Sequence, residues 1–181
     1  MSITQSLKRL YLGHLSKPKS DRVIYRNILK QGAGSIVELG MGSLQRTLNL
    51  IELAQVSSGA AKIRYTAIDL FDSRPADMPE LKLIQTHREL CKTGAQVKLM
   101  PGDESVLGQI ANSLTNSDLI LISSCSDIQS QSQLLFYLPR MVHENSLILQ
   151  QQTLESGGRK WRAIDSAKLK LGKEQLNRQA A

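Results

Sequence analysis

The chain has 181 residues, 41% of them hydrophobic and 22% charged, with a formal net charge of +7, the make-up of a single ordinary globular domain with a real core. No apolar run reaches the roughly 20 residues that cross a bilayer, and the first twenty residues lack the apolar stretch and cleavage site of a secretory signal. Two cysteines, Cys91 and Cys125, form neither a CxxC pair nor a disulfide framework, so a reduced, cytoplasmic setting is expected.

The charge is uneven. Residues 1–30 carry seven basic groups against Asp21, and residues 151–181 carry seven against three acids. The ends are therefore +6 and +4, which leaves −3 for the middle. Basic ends fit either a surface for phosphates or anionic substrates or two solvated terminal helices.

In chain order, residues 21–30 place Val23, Ile24 and Ile28 on one helical face, with Asp21 as a first-turn acid or cap and a stop at Gly32–Gly34. Ser35–Leu39 reads as a short buried strand and Leu44–Val56 as a helix. Ile63–Leu70 is a second strand, Pro79–Thr93 a helix, Val97–Met100 a third strand and Val106–Leu114 a helix. Asp118–Ile122, continuous and apolar, is a strand buried on both faces. Ser130–Val142 is a helix with Pro139 near its end, and Ser146–Gln150 a fifth strand. Beyond it the signal weakens to a strand at Lys160–Ile164 and a helix at Ser166–Gln179. The alternation predicts one α/β domain over 1–181: an open, mostly parallel twisted sheet with helices on both faces. Residues 1–20 are a basic N-terminal segment in which Tyr11, His14 and residues 16–20 are candidates for a lid. Residues 151–181 are a short basic tail.

In such sheets ligands gather at the carboxyl ends of the strands, where the strand order reverses. There the chain offers Glu38, Gly40 and Gly42 after the first strand and Asp69-Leu70 after the second. Gly102, Asp103 and Glu104 follow the third, and Ser123 the fourth. Glycines let a backbone approach a ligand closely, and amides opening the next helix favour an anionic group. An acid after the second strand can accept two ribose hydroxyls, and one after the third can receive an adenine amine. Adenosine uses every piece. A dinucleotide would want a third glycine, and that place is Leu44 or Gln45. A tight corner with no ligand is the remaining alternative.

Over about residues 21–150 these motifs resemble the class I S-adenosylmethionine-dependent methyltransferases, whose fold is Rossmann-like. By this resemblance Glu38 orients the glycine loop and the methionine amino end, Gly40 and Gly42 form that loop, and Asp69 holds the ribose. Leu70 follows it, Asp103 reaches the adenine amine, the Glu104 amide lies near the adenine edge, and the backbone near Ser123 lines the methionine side. The resemblance implies an enzyme using S-adenosylmethionine on a small-molecule acceptor. The chain departs from the pattern at Leu44, in the 27 positions between Gly42 and Asp69, and in having Ser123-Ser-Cys-Ser-Asp127 where acceptor or metal motifs stand in some members. About thirty residues after the fifth strand are short for the family's terminal β-hairpin. Two rivals stay open: a non-catalytic interaction module of the same fold, and an RNA methyltransferase using the basic ends. No residue stands out as a catalytic base; His87 and His143 read as surface and helix-end residues, and Cys125 as a small buried thiol.

Overall fold

The computed structural model describes residues 3–123, 132–154 and 157–164. The expected helix at 166–179, Cys125 and the first residues of the helix expected at 130 lie outside them. Six strands form one sheet: β1 (Ser35–Leu39), β2 (Arg64–Asp69), β3 (Gln96–Pro101), β4 (Ser117–Ile122), β5 (Val142–Thr153) and β6 (Arg159–Ile164). Their order is β3-β2-β1-β4-β5-β6. Every neighbouring pair is parallel except β5 and β6. Among the described residues six α-helices accompany them: α1 (Ile3–His14), α2 (Arg22–Gln31), α3 (Leu44–Ser57), α4 (Leu83–Cys91), α5 (Leu107–Ile110) and α6 (Ser132–Met141). None is long and apolar enough to cross a membrane.

The core has two layers, because alternate residues of the central strands face opposite ways. Ile36, Leu119 and Leu121 pack with Ile24 and Ile28 of α2, Leu50, Ile51 and Ala54 of α3, and Leu90 of α4. Val37, Leu39, Ile120 and Ile122 pack with Leu107 and Ile110 of α5 and Leu134, Leu138 and Met141 of α6. This two-sided burial is what the unbroken apolar run of β4 requires. The predicted three-layer α/β/α architecture is the observed one.

Beside a helix expected at Pro79–Thr93 that runs only from Leu83 to Cys91, two larger differences from expectation stand out. The fourth helix of the pattern shrinks to one α-turn, α5, between two 3-10 turns. β5 overruns its apolar stretch as far as Thr153 and turns back through Gly157 (φ 76°) into β6. Ile148 to Thr153 then pair antiparallel with Ile164 to Arg159. The antiparallel strand beside β5 is thus supplied by a tight hairpin, which needs far fewer residues than a separate terminal hairpin. Residues 3–14 are helical. Leu12 is buried, Gly13 lies against Arg26 and Leu29 of α2, and Lys8 reaches Glu52 of α3. This agrees with the terminal-helix reading of the basic N-terminal end, although Leu7, Leu10 and Tyr11 of the helix are exposed.

Candidate functional site

β1 is flanked by β2 on one side and β4 on the other, so the loops leaving β1 and β4 diverge and open a crevice at their carboxyl ends. A cavity of about 880 Å³ lies there. Gly40, Gly42, Asp69, Leu70, Asp103 and Ser123 all line it, as do Arg74, Met78, Gln151, Thr153 and Arg159. With Gly102, which also lines it, seven of the nine residues singled out at the strand ends therefore meet in one place. Glu38 is not in the wall but behind it, fully buried, and Glu104 opens the 3-10 turn that follows Asp103.

The first loop is shaped by its glycines. Gly40 has φ 78°, a left-handed conformation that side chains resist, and its amide is bonded to Ile68 O at 2.8 Å. At Gly42 the constraint is space: a Cβ there would lie 2.5 Å from Nη1 of Arg46. Ser43 then caps α3, its Oγ accepting from Arg46 N at 3.2 Å. The positive end of α3 follows directly on the loop.

Beneath the loop lies a buried polar cluster. Glu38 accepts from Arg46 Nη2 at 3.1 Å, Thr47 Oγ1 at 2.7 Å and Tyr65 Oη at 2.5 Å. Arg46 Nη2 also donates to Ser123 Oγ at 3.2 Å, which ties the loop after β4 to the loop after β1. The guanidinium lies 5.2 Å from the ring of Trp161, whose indole N–H donates to Asp21 at 3.4 Å. Burial opposes the charge of Arg46, but Glu38 and Asp21 outweigh it and hold its pKa above the usual value. Burial, reinforced by the charge of Glu38, keeps the Tyr65 phenol neutral well above its ordinary range. Asp21 is pushed up by burial despite Arg46 nearby. The expected capping role of Asp21 is not made: its side chain bonds Ser20 and Trp161 and caps no amide of α2.

Asp69 is equally enclosed. Its carboxylate accepts from Met41 N at 2.7 Å and Phe71 N at 2.9 Å, and Arg74 grips both oxygens, Nε to Oδ1 and Nη2 to Oδ2, each at 2.7 Å. The two side chains are 4% and 3% exposed. Arg74 also donates to Met41 O and, at 2.9 Å, to Pro79 O. Asp103 is the opposite case. It is exposed, and the hydroxyl and amide of Ser105 hold its carboxyl below the usual range.

Sequence reasoning missed Arg46, Tyr65 and Arg74. Arg46 had a signal: it lies on the inner stripe of α3 with Leu50 and Leu53, a charge where periodicity calls for an apolar residue. Arg74 had none, being one arginine in an irregular loop. None of the three histidines lines the cavity. His143 meets Asp118 at 3.0 Å where β4 and β5 begin, and the same Asp118 accepts from Gly34 N and Ser35 N. His87 stands beside Cys91 on the exposed side of α4.

No family model matches the sequence, and neither does any curated protein. Among solved structures, a methyltransferase from Geobacter sulfurreducens superposes with a TM-score of 0.52 at 18% identity, over 81% of this chain and 68% of that one. A SAM-dependent O-methyltransferase from Thermotoga maritima gives 0.50 at 14% identity, over 89% of this chain and 50% of that one. The fold of this chain is thus the Rossmann-like fold seen in those methyltransferases. At such identities the likeness concerns the fold, and the chain spans only half to two thirds of their length.

An S-adenosyl ligand can be set against these residues in three parts. The exposed Asp103 carboxylate and the half-exposed Leu70 and Met78 suit an adenine, with a hydrogen-bond acceptor and apolar faces in one corner. The glycine loop and the first turn of α3 suit the methionine end. Between them Asp69 does not yet suit a ribose. A carboxylate has about four acceptor sites, and all four are taken.

Proposed function

We propose that the protein is an S-adenosylmethionine-dependent methyltransferase acting on a small-molecule acceptor. The observation that carries this reading is the meeting of Gly40, Gly42, Asp69 and Asp103, from three separate strand ends, in one cavity of about 880 Å³. The cofactor, when bound, supplies a methyl group on a sulfonium. The chain's own part is to bind and orient: Asp103 and Leu70 hold the adenine, Asp69 the ribose, and the loop around Gly40 and Gly42 the methionine end. Gln151, Thr153 and Arg159 face the same cavity from β5 and β6 and are the wall against which an acceptor would rest. No side chain in the wall is assigned as a base. Transfer from a sulfonium can proceed largely by holding the nucleophile in line and excluding water.

The test is calorimetry and thermal shift with S-adenosylmethionine and S-adenosylhomocysteine, joined to mass spectrometry of any ligand that survives purification. Binding of either supports the reading; a folded sample that responds to neither removes it. A second reading, a non-catalytic module of the same fold, is favoured by one observation: both acids of the motif, Glu38 and Asp69, are paired with internal arginines. Formation of S-adenosylhomocysteine with any acceptor would exclude it.

A further inference from the structure

Arg74 occupies the place where the ligand's ribose belongs. Its fork meets both oxygens of Asp69 at 2.7 Å, the two-point geometry a vicinal diol would use on a carboxylate. The backbone amides of Met41 and Phe71 fill the remaining positions on Asp69. Those two bonds are fixed by the turns themselves, so the guanidinium is the only one of the three donor groups that a side-chain rotation can withdraw. The same guanidinium joins Met41 of the glycine loop to Pro79 of the loop before α4. Both segments line the cavity. One arginine thus holds the two walls together across the mouth of the ribose position.

We propose that Arg74 determines specificity in this pocket, by making ribose binding an exchange in which a cis-diol replaces its guanidinium on Asp69. A ligand without both hydroxyls cannot compensate Asp69 for the two bonds it loses, so it meets a latched pocket. Asp77, three residues on in the same wall and in no ion pair among the described residues, offers the released cation a carboxylate. This proposal rests on the S-adenosyl reading of the cavity and goes beyond it: the known chemistry of that ligand needs an acid at Asp69, not an arginine upon it.

The experiment measures dissociation constants for S-adenosylhomocysteine, adenosine and 2′-deoxyadenosine with the wild type, Arg74→Gln and Arg74→Lys, each checked for folding by circular dichroism. Removing a block that leaves fewer than about one molecule in five competent tightens binding by about fivefold or more. Arg74→Gln should therefore bind S-adenosylhomocysteine and adenosine at least about fivefold more tightly, and 2′-deoxyadenosine should gain by a larger factor, because the latch it could not displace is gone. Arg74→Lys, which keeps the charge but loses the planar fork, should fall between. Equal or weaker binding of S-adenosylhomocysteine by both folded variants overturns the role of Arg74 and leaves the S-adenosyl reading standing. An equal or smaller gain for the deoxynucleoside overturns the diol exchange, since it would mean that Arg74 merely narrows the cavity and does not select for the diol. Failure of every folded form to bind any of the three removes the S-adenosyl reading and this proposal together.

Discussion

Tyr65 donates to Oε2 of Glu38 at 2.5 Å, although in the β1–β2 register Tyr65 stands opposite Ile36 and Glu38 opposite Ala67. The contact is therefore a diagonal across two parallel strands, on the face covered by α3. Ala67 makes it feasible, because its small side chain leaves room for the tyrosine ring to lean toward the carboxylate. Through this contact the acid that precedes the glycine loop is committed to the inside of the protein, where Arg46 and Thr47 complete its coordination.

Breaking that coordination has a graded cost. Tyr65→Phe removes one donor from a fully buried carboxylate and should destabilise the fold by about 1–3 kcal/mol. Glu38→Gln strips Arg46 of its closest counter-charge and should cost about 3–5 kcal/mol. Urea unfolding of the two variants beside the wild type checks the order; a milder effect for Glu38→Gln than for Tyr65→Phe would contradict the ion pair's part in the cluster.

Gly42→Ala tests crowding rather than backbone conformation. The added methyl would lie 2.5 Å from Nη1 and 2.6 Å from Cζ of Arg46. The Nη2 of that guanidinium is held by Glu38 and Ser123 and the side chain is buried, which restricts how far the group can yield. A loss of about 1–3 kcal/mol is expected. In an Arg46→Met background the same alanine should cost markedly less, because neighbouring sites are not additive. An unchanged cost there would place the cause elsewhere.

Asp21 gives a pH signature. Burial raises its folded pKa above the ordinary 3.8, so folding favours its protonated form. Its contribution is fully present below the unfolded pKa and is lost as pH rises through the raised folded value. Asp21→Asn has no such loss and keeps an acceptor for Trp161. The stability of Asp21→Asn relative to the wild type should therefore rise between about pH 4 and neutrality. Denaturation midpoints for both proteins across that range test it, and a relative stability that falls with pH would reverse the assignment.

Asp103→Asn separates binding from folding. The carboxylate is exposed and bonded only to Ser105 within its own turn, so the thermal midpoint should hardly move. On the proposed S-adenosyl reading, loss of this charge-assisted acceptor should weaken S-adenosylhomocysteine binding several-fold. Asp69→Ala is less suited to this purpose, because it also strands the buried Arg74.

How far the sequence reveals this molecule depends on where each residue's partners lie. β1, β4 and α3 are set by local pattern, and their expected bounds agree with the observed ones to within a residue or so. The glycine loop, Asp69 and Asp103 are read from their positions after strands, a matter of topology that alternation makes visible. The arginines are not, since Arg46 and Glu38 meet only after α3 folds back on β1, and Arg74 reaches Asp69 through a 3-10 turn with no periodic signature. The bounds of α1, as distinct from a helix at that end, are not legible for the contrary reason: its buried face is small and Leu7, Leu10 and Tyr11 are exposed, which inverts the usual pattern.

The hairpin at this side of the sheet has a further effect. Among the described residues β6 closes the strand order, and its outward hydrogen-bonding edge is the kind of surface on which a second polypeptide chain can grow as an extra strand. Arg159, Lys160 and Arg162 crowd three positive charges into four residues of that edge, all of them exposed. Two copies brought edge to edge would repel each other there, so the basic end of the chain guards the sheet against self-templated aggregation.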